Sequence, residues 1–334
     1  MSVDLLNFIE TVLNGLMSGI MYSLVALGFV LIFKASGVFN FAQGVFALFA
    51  ALTLVGFQTG QVPFSHLINE LFGTKLHHWY PEIHSFLAII LTIITMVVLA
   101  WVIERLVLKH LVNQEPIILF MATIGLAFVL EGIGDLMWGS DVKVLDVGIP
   151  SGGSEWLENA TIGLAKEGTE YYGMYIDVLN VWATIVAVIL VTALALFSQY
   201  TKTGRALRAV ADDHQAALSV GISLRSIWIL VWAISGFIAM VAGIMWGTES
   251  GVQFSLSLIA LKALPVLILG GFTSIPGAII GGLLIGVGEK LAEIYIGGLL
   301  DIGAIENWFA YVLALVFLLF RPQGLFGDKI IERV

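Results

Sequence analysis

Long apolar runs recur along this chain, parted by short stretches that carry most of its charge. The first covers residues 11–33 and ends at Lys34; others span about 38–60, 85–103 and 116–138. Residues 178–200 and 226–248 hold no charge at all. Runs of this length cross a bilayer as helices, because hydrocarbon offers no partner to an unpaired backbone group. After Gly251 the pattern blurs into 255–273, 277–295 and 306–320, read as two or three further spans. The predicted fold class is therefore an all-α polytopic membrane protein of eight or nine transmembrane helices, some broken or re-entrant, forming one transmembrane domain over residues 1–334.

The polar stretches orient these helices. With the N-terminus outside, the inner segments hold Lys34, Arg105, Lys109, Lys202, Arg205, Arg208, Arg225, Arg321, Lys329 and Arg333, ten of the fifteen basic residues. Only Lys75, Lys143 and Lys166 fall outside, while Lys262 and Lys290 lie in or near the membrane. Basic residues concentrate on the cytoplasmic side, so the N-terminus is expected outside and the C-terminus in the cytosol, which favours an odd helix count. Residues 199–226 then form a cytosolic hairpin, with one short helix expected between Gly204 and Gly221 along the membrane surface. It is a candidate for contact with another protein, or an ordinary solvated loop.

Two inserts face outward, 60–84 and 139–177. The first carries His66, His77, His78 and His84 beside Glu82, which raises a metal site, but Trp79, Tyr80 and Pro81 suit an interfacial aromatic belt, and no metal is assigned. The second is acidic, with Asp141, Asp146, Glu155, Glu158, Glu167, Glu170 and Asp177; it reads equally as a partner-docking surface or a solvated, partly disordered loop.

Composition agrees with the pattern. Of 334 residues, 59% are hydrophobic and 12% charged, and the mean hydropathy is +0.99; soluble domains carry about twice that charge. Cysteine is absent, which excludes disulfides and thiolate chemistry. Small residues at four-residue spacing, Gly15 with Gly19, Gly243 with Gly247, Gly277 with Gly281 and Gly282 with Gly286, suit close helix packing in lipid.

Two interruptions stand out as candidates for a passage. The first, between helices one and two, holds Ser36, Gly37, Asn40, Gln43 and Gly44; the second holds Gly270, Gly271, Ser274, Pro276 and Gly277. Broken helices at membrane depth must be buried in protein or line a wet cavity. The path is expected between the two, which are also candidate counterparts in a weak internal repeat; a plain turn near the surface is the other reading of the first. Ionisable residues near spans are few: Glu131 and Asp135 one turn apart, then Lys262, Glu289, Lys290 and Glu293. No lysine follows a glycine, so a G-x-x-x-x-G-K-[ST] phosphate loop is absent and the chain is no self-contained ATPase. No catalytic residues and no cofactor are assigned to it. A channel, a secondary transporter, or the membrane half of a transporter driven by another chain remains.

Residues 215–221, Q-A-A-L-S-V-G, resemble the E-A-A-x-x-x-G signature by which permease subunits of bacterial ABC importers dock onto their ATPases, with glutamine in place of glutamate. The run from Asn14 to Gly44, together with residues 204–211, 270–282 and 319–327, is similar to the LivH branch of the branched-chain amino acid permeases. That resemblance implies a heterodimer with a LivM-like permease, two cytosolic LivG/LivF-like subunits that bind ATP and magnesium, and a periplasmic protein delivering leucine, isoleucine or valine to the bacterial inner membrane. It implies ATPase coupling through Gly204, Arg205, Arg208, Asp212, Asp213, Gln215, Ala216, Ala217 and Gly221. Related permeases import urea or short amides, and an ion-coupled secondary transporter is the reading from a different class.

Overall fold

The computed structural model describes residues 2–73, 83–111, 114–150, 152–153, 155–162, 165–167, 170–212 and 214–327. In chain order its helices are α1 (Val3–Ser36), α2 (Gln43–Thr59), α3 (Ser65–Phe72), α4 (Ser85–Leu106), α5 (Pro116–Trp138), α6 (Glu155–Thr161), α7 (Val178–Tyr200), α8 (Lys202–Asp212), α9 (His214–Ser219), α10 (Leu224–Ser250), α11 (Ile259–Gly270), α12 (Ile275–Leu291), α13 (Gly298–Leu300) and α14 (Glu306–Phe320). A small antiparallel hairpin, β1 (Ala165–Glu167) with β2 (Glu170–Tyr172), lies in the second insert. Among the described residues six helical stretches are long and apolar enough to cross a membrane, Val3–Ser36, Ser85–His110, Ile117–Trp138, Val178–Tyr200, Leu224–Ser250 and Ile275–Leu300. Three shorter apolar stretches, Gln43–Thr59, Phe254–Gly270 and Trp308–Phe320, fall where the sequence predicts the remaining spans.

The chain divides into two compact units. One comprises residues 27–148 and 193–261, the other residues 1–26, 149–192 and 262–334. The first is organised around α2, whose side chains are almost all buried, with α10, α4 and α5 packed about it. Helix α10 approaches α2 backbone to backbone: a Cβ on Gly243 would lie 3.0 Å from the carbonyl carbon of Ala47. At Gly56 it is a side chain that fills the space: the ring of Trp138, at the end of α5, lies where a Cβ would go.

In the other unit the N-terminal part of α1 crosses α12 through the small residues singled out by their spacing. A Cβ on Gly15 would stand 2.7 Å from Val287 Cα, and one on Gly19 would stand 2.8 Å from Leu283 Cα. Lipid is as apolar as the side chains, so burying apolar area does not drive these helices together; close backbone contact and dispersion do. Ser23 Oγ adds a 3.2 Å bond to the Ile279 carbonyl across the same crossing.

Among the described residues, the two inserts at 60–84 and 139–177 hold more than bare loop. His84 caps α4, its Nδ1 accepting from Phe86 N at 3.3 Å, while His77 and His78 lie outside the described residues. The second insert contains α6 and the β1–β2 hairpin, and backbone bonds of 3.0 and 2.8 Å tie Lys143 to Val252. Burial holds the Lys143 ammonium below the usual lysine range, opposed by Asp141, which raises it.

Candidate functional site

The first interruption begins where α1 ends. Ser36 Oγ bonds back to Ile32 O at 2.7 Å, and Gly37 N donates to Phe33 O at 2.7 Å with φ at +67°, a left-handed value that glycine adopts without Cβ strain. Helix α2 therefore starts at Gln43, not near residue 38. Between them the chain is held by side chains. Thr123 Oγ1 accepts from Phe41 N at 3.1 Å and lies 3.0 Å from Phe39 O, so one hydroxyl of α5 satisfies the exposed backbone of the break.

Asn40 and Gln43 are fully buried and spent on one another. Asn40 Nδ2 donates to Gln43 Oε1 at 3.3 Å, and Asn40 Oδ1 accepts from Ala42 N at 3.2 Å. Gln43 Nε2 reaches Ser235 O at 3.3 Å, while Ser235 Oγ lies 2.7 Å from Gln43 Oε1 and 3.1 Å from Gly28 O. Gly28 leaves the room this needs, since a Cβ there would fall 2.8 Å from Gln43 Cδ. Gly44 does the same where α2 meets residues 257 and 260, with 2.8 Å to Ala260 Cβ. These buried amides brace the break from within; the sequence missed Thr123 and Ser235, whose signal is a lone hydroxyl in an otherwise apolar helix.

The second interruption belongs to the other unit and is held by backbone. Ser274 Oγ caps α12, accepting from Gly277 N at 3.1 Å, and Pro276 sits in the first turn, where a missing N–H costs nothing. Gly270 and Gly277 touch each other's main chain. The segment after α14 closes over Gly271: Leu325 N donates to Leu269 O at 2.8 Å and Phe326 N to Gly270 O at 3.2 Å. The motif at 319–327 thus acts as a strap on the loop at 270–274.

The hairpin folds as two helices, α8 and α9, not one. Gly204 does not bound a helix: Thr201 Oγ1 accepts Gly204 N at 2.9 Å and starts α8 two residues earlier, and Gly204 itself packs on the α7 backbone. Arg205 and Arg208 point their guanidinium groups at the carbonyls of Tyr200 and Gln199, 3.3 and 3.4 Å away, where the negative end of α7 favours a cation. Leu207 and Val210 are buried. Asp212 is exposed, and Asp213 lies outside the described residues. In α9 the small residues part company, because Ala217 is buried whereas Gln215 and Ala216 face out. Gly221 closes the helix at φ +84°, its N–H bonded to Leu218 O. Beside them Leu218 and Val220 are 53% and 73% exposed, an apolar tip that charge and small-residue spacing did not reveal.

Of the ionisable residues near spans, several have local duties. Lys290 pairs with Glu306 at 2.9 Å, and the Glu293 carboxylate accepts from Ala304 N and Glu306 N at the start of α14. Glu131 and Asp135 line an open groove of about 260 Å³ with Gly132, Ser140 and Phe254. An ion pair that the sequence did not signal joins buried Glu104 of α4 to Arg225 of α10 at 3.2 Å.

Known proteins resemble this chain throughout. The family model described as branched-chain amino acid transport system, permease component, matches residues 11–321. The high-affinity branched-chain amino acid transport system permease protein LivH of Salmonella typhimurium is 28% identical over the whole of both chains. The corresponding protein BraD of Pseudomonas aeruginosa is 27% identical over 99% of each. A probable LivH of Methanocaldococcus jannaschii is 28% identical over 91% of this chain and 88% of its own. Among solved structures, PsaBC from Streptococcus pneumoniae in complex with Fab aligns over 92% of this chain and 89% of that one at 13% identity and a TM-score of 0.40, too low to bear on the fold. A model matched along nearly the full chain, over helices of the expected length and order, establishes that this protein belongs to the branched-chain amino acid transport system permease family.

Proposed function

We propose that this chain is the membrane-spanning subunit of an ABC importer that carries branched-chain amino acids into the cytoplasm, with ATP and magnesium bound by separate ATPase subunits. The observation that carries the coupling is the hairpin of α8 and α9, which buries Leu207, Val210 and Ala217 against its own chain yet leaves Gln215, Ala216, Leu218 and Val220 outward. An exposed apolar tip on a polar hairpin is what a protein partner covers.

The partners follow from the family: a LivM-like second permease, two LivG/LivF-like ATPases and a periplasmic binding protein, assembled in the inner membrane with the N-terminus of this chain outside. Basic residues on the hairpin and after α14 support that orientation, and six long with three shorter apolar stretches suit an odd number of crossings. For the passage, the interruption at 36–44 contributes shaped backbone, with Asn40 and Gln43 acting as braces. Buried amides of this kind fix a broken helix without presenting a tight site, so specificity rests on the binding protein.

Competition tests the substrate. Uptake of labelled leucine by the reconstituted complex should be displaced by isoleucine and valine and not by urea or acetamide; displacement by the amides alone would replace the amino acid assignment.

A further inference from the structure

Lys262 makes no ion pair among the described residues. It is the fourth residue of α11, within the apolar stretch Phe254–Gly270, and it is half-buried. Its ammonium has no ion pair or hydrogen bond among the described residues. The ring of Tyr22 faces it, 5.8 Å from Nζ to the centroid, a cation–π distance. Nothing local explains the choice, because a cation in the first turn of a helix opposes the dipole, and a lysine at membrane depth is costly unless paired or used.

A carboxylate is nearby. Glu289 of α12 is 1% exposed, and its Oε2 has no hydrogen-bond partner among the described residues. Tyr22 and Lys262 are both among its electrostatic neighbours. The same unit shows the structural alternative in Lys290 and Glu306, which meet directly at 2.9 Å. Lys262 and Glu289 form no such pair, and the part-exposed Lys262 ammonium keeps its N–H donors unspent among the described residues.

We propose that the Lys262 ammonium, set against the Tyr22 ring, is a transient contact within the membrane for the carboxylate of the amino-acid cargo. The proposal rests on the importer reading above and deepens it by naming a polar side chain on the path. A zwitterion crossing an apolar region needs an opposite charge for its carboxylate. A lysine already facing an aromatic ring, with a carboxylate nearby, meets that need without retaining the cargo.

The test uses the full complex, with partner permease, ATPases and loaded binding protein, in liposomes. Lys262→Met and Lys262→Gln should assemble normally and keep ATP hydrolysis stimulated by the binding protein, while leucine uptake falls at least about tenfold, the scale of one charge-assisted hydrogen bond; Lys262→Arg should recover most of it. Both variants remove the charge, and glutamine keeps a polar tip where methionine has none, so a loss shared by the two reports the charge and not the polarity. Uptake at the wild-type rate in either variant would overturn the proposal. Loss of the second permease from the purified variant would overturn it as well, assigning Lys262 to a carboxylate on that neighbour. A wild-type complex that moves no amino acid would instead refute the importer reading, a result distinct from both.

Discussion

Ser235 Oγ, on α10, lies 2.7 Å from Gln43 Oε1 at the start of α2, and both side chains are wholly buried. The bond ties a broken segment to the helix most extensively packed against α2, so the shape of the break is set from the core of its unit. Removing Gln43 would strand Asn40 Nδ2 and leave a void. Gln43→Ala should therefore lose about 1–3 kcal/mol of stability, the cost of an unsatisfied buried polar group. Thermal unfolding in detergent measures it, and an unchanged midpoint would show that the amides brace nothing.

The glycine crossing of α1 and α12 gives a second prediction. A Cβ on Gly282 would collide with Ser23 Oγ and sit 2.6 Å from Gly19 O and 3.0 Å from Ser23 N; the hydroxyl can rotate away, but the α1 backbone cannot. Gly282→Val should cost at least about 1–3 kcal/mol through overpacking, whereas Gly132→Ala, where nothing lies within 4 Å, should be nearly neutral. Equal unfolding temperatures for the two variants would contradict close packing at this crossing.

The coupling surface should respond to charge. Leu218→Glu with Val220→Glu puts two carboxylates on an exposed apolar tip without disturbing Leu207, Val210 or Ala217 beneath it. The permease should purify normally while its affinity for the ATPases drops at least about tenfold, as expected for buried anchors of an interface. Co-purification of the ATPases at wild-type stoichiometry would move the docking site elsewhere.

Natural absence of cysteine makes orientation simple to read. Ser2→Cys should react with a membrane-impermeant thiol reagent in intact cells, and Gln323→Cys, after α14, should react only once the membrane is opened. The opposite labelling would invert the topology.

Helices were legible in the sequence because length and hydropathy are local properties: α5, α7 and α14 begin and end within a residue or two of the apolar runs. The four-residue glycine spacing likewise announced a close crossing, though only the fold pairs Gly15 and Gly19 with α12. Failures came where distant residues decide. Asn40 and Gln43 read as polar groups available to a passage, but their partner is Ser235, 192 positions away from Gln43. Helix α2 starts late because Gly37 turns the chain and Thr123 of α5 takes the backbone groups of Phe39 and Phe41. One hairpin helix became two, with Thr201 starting the first through a local side-chain bond that a glycine-boundary rule overlooks. Ala216 and Ala217 look equivalent in sequence, and only packing tells the outward residue from the buried one.

The energy source of transport tests the importer assignment most directly. In liposomes carrying the complete complex and supplied with leucine-loaded binding protein, uptake should require ATP inside with the ATPases and should continue unchanged when ionophores collapse proton and sodium gradients. Uptake that persists without ATP and stops when a gradient is collapsed would contradict an ABC permease and make this chain an ion-coupled carrier.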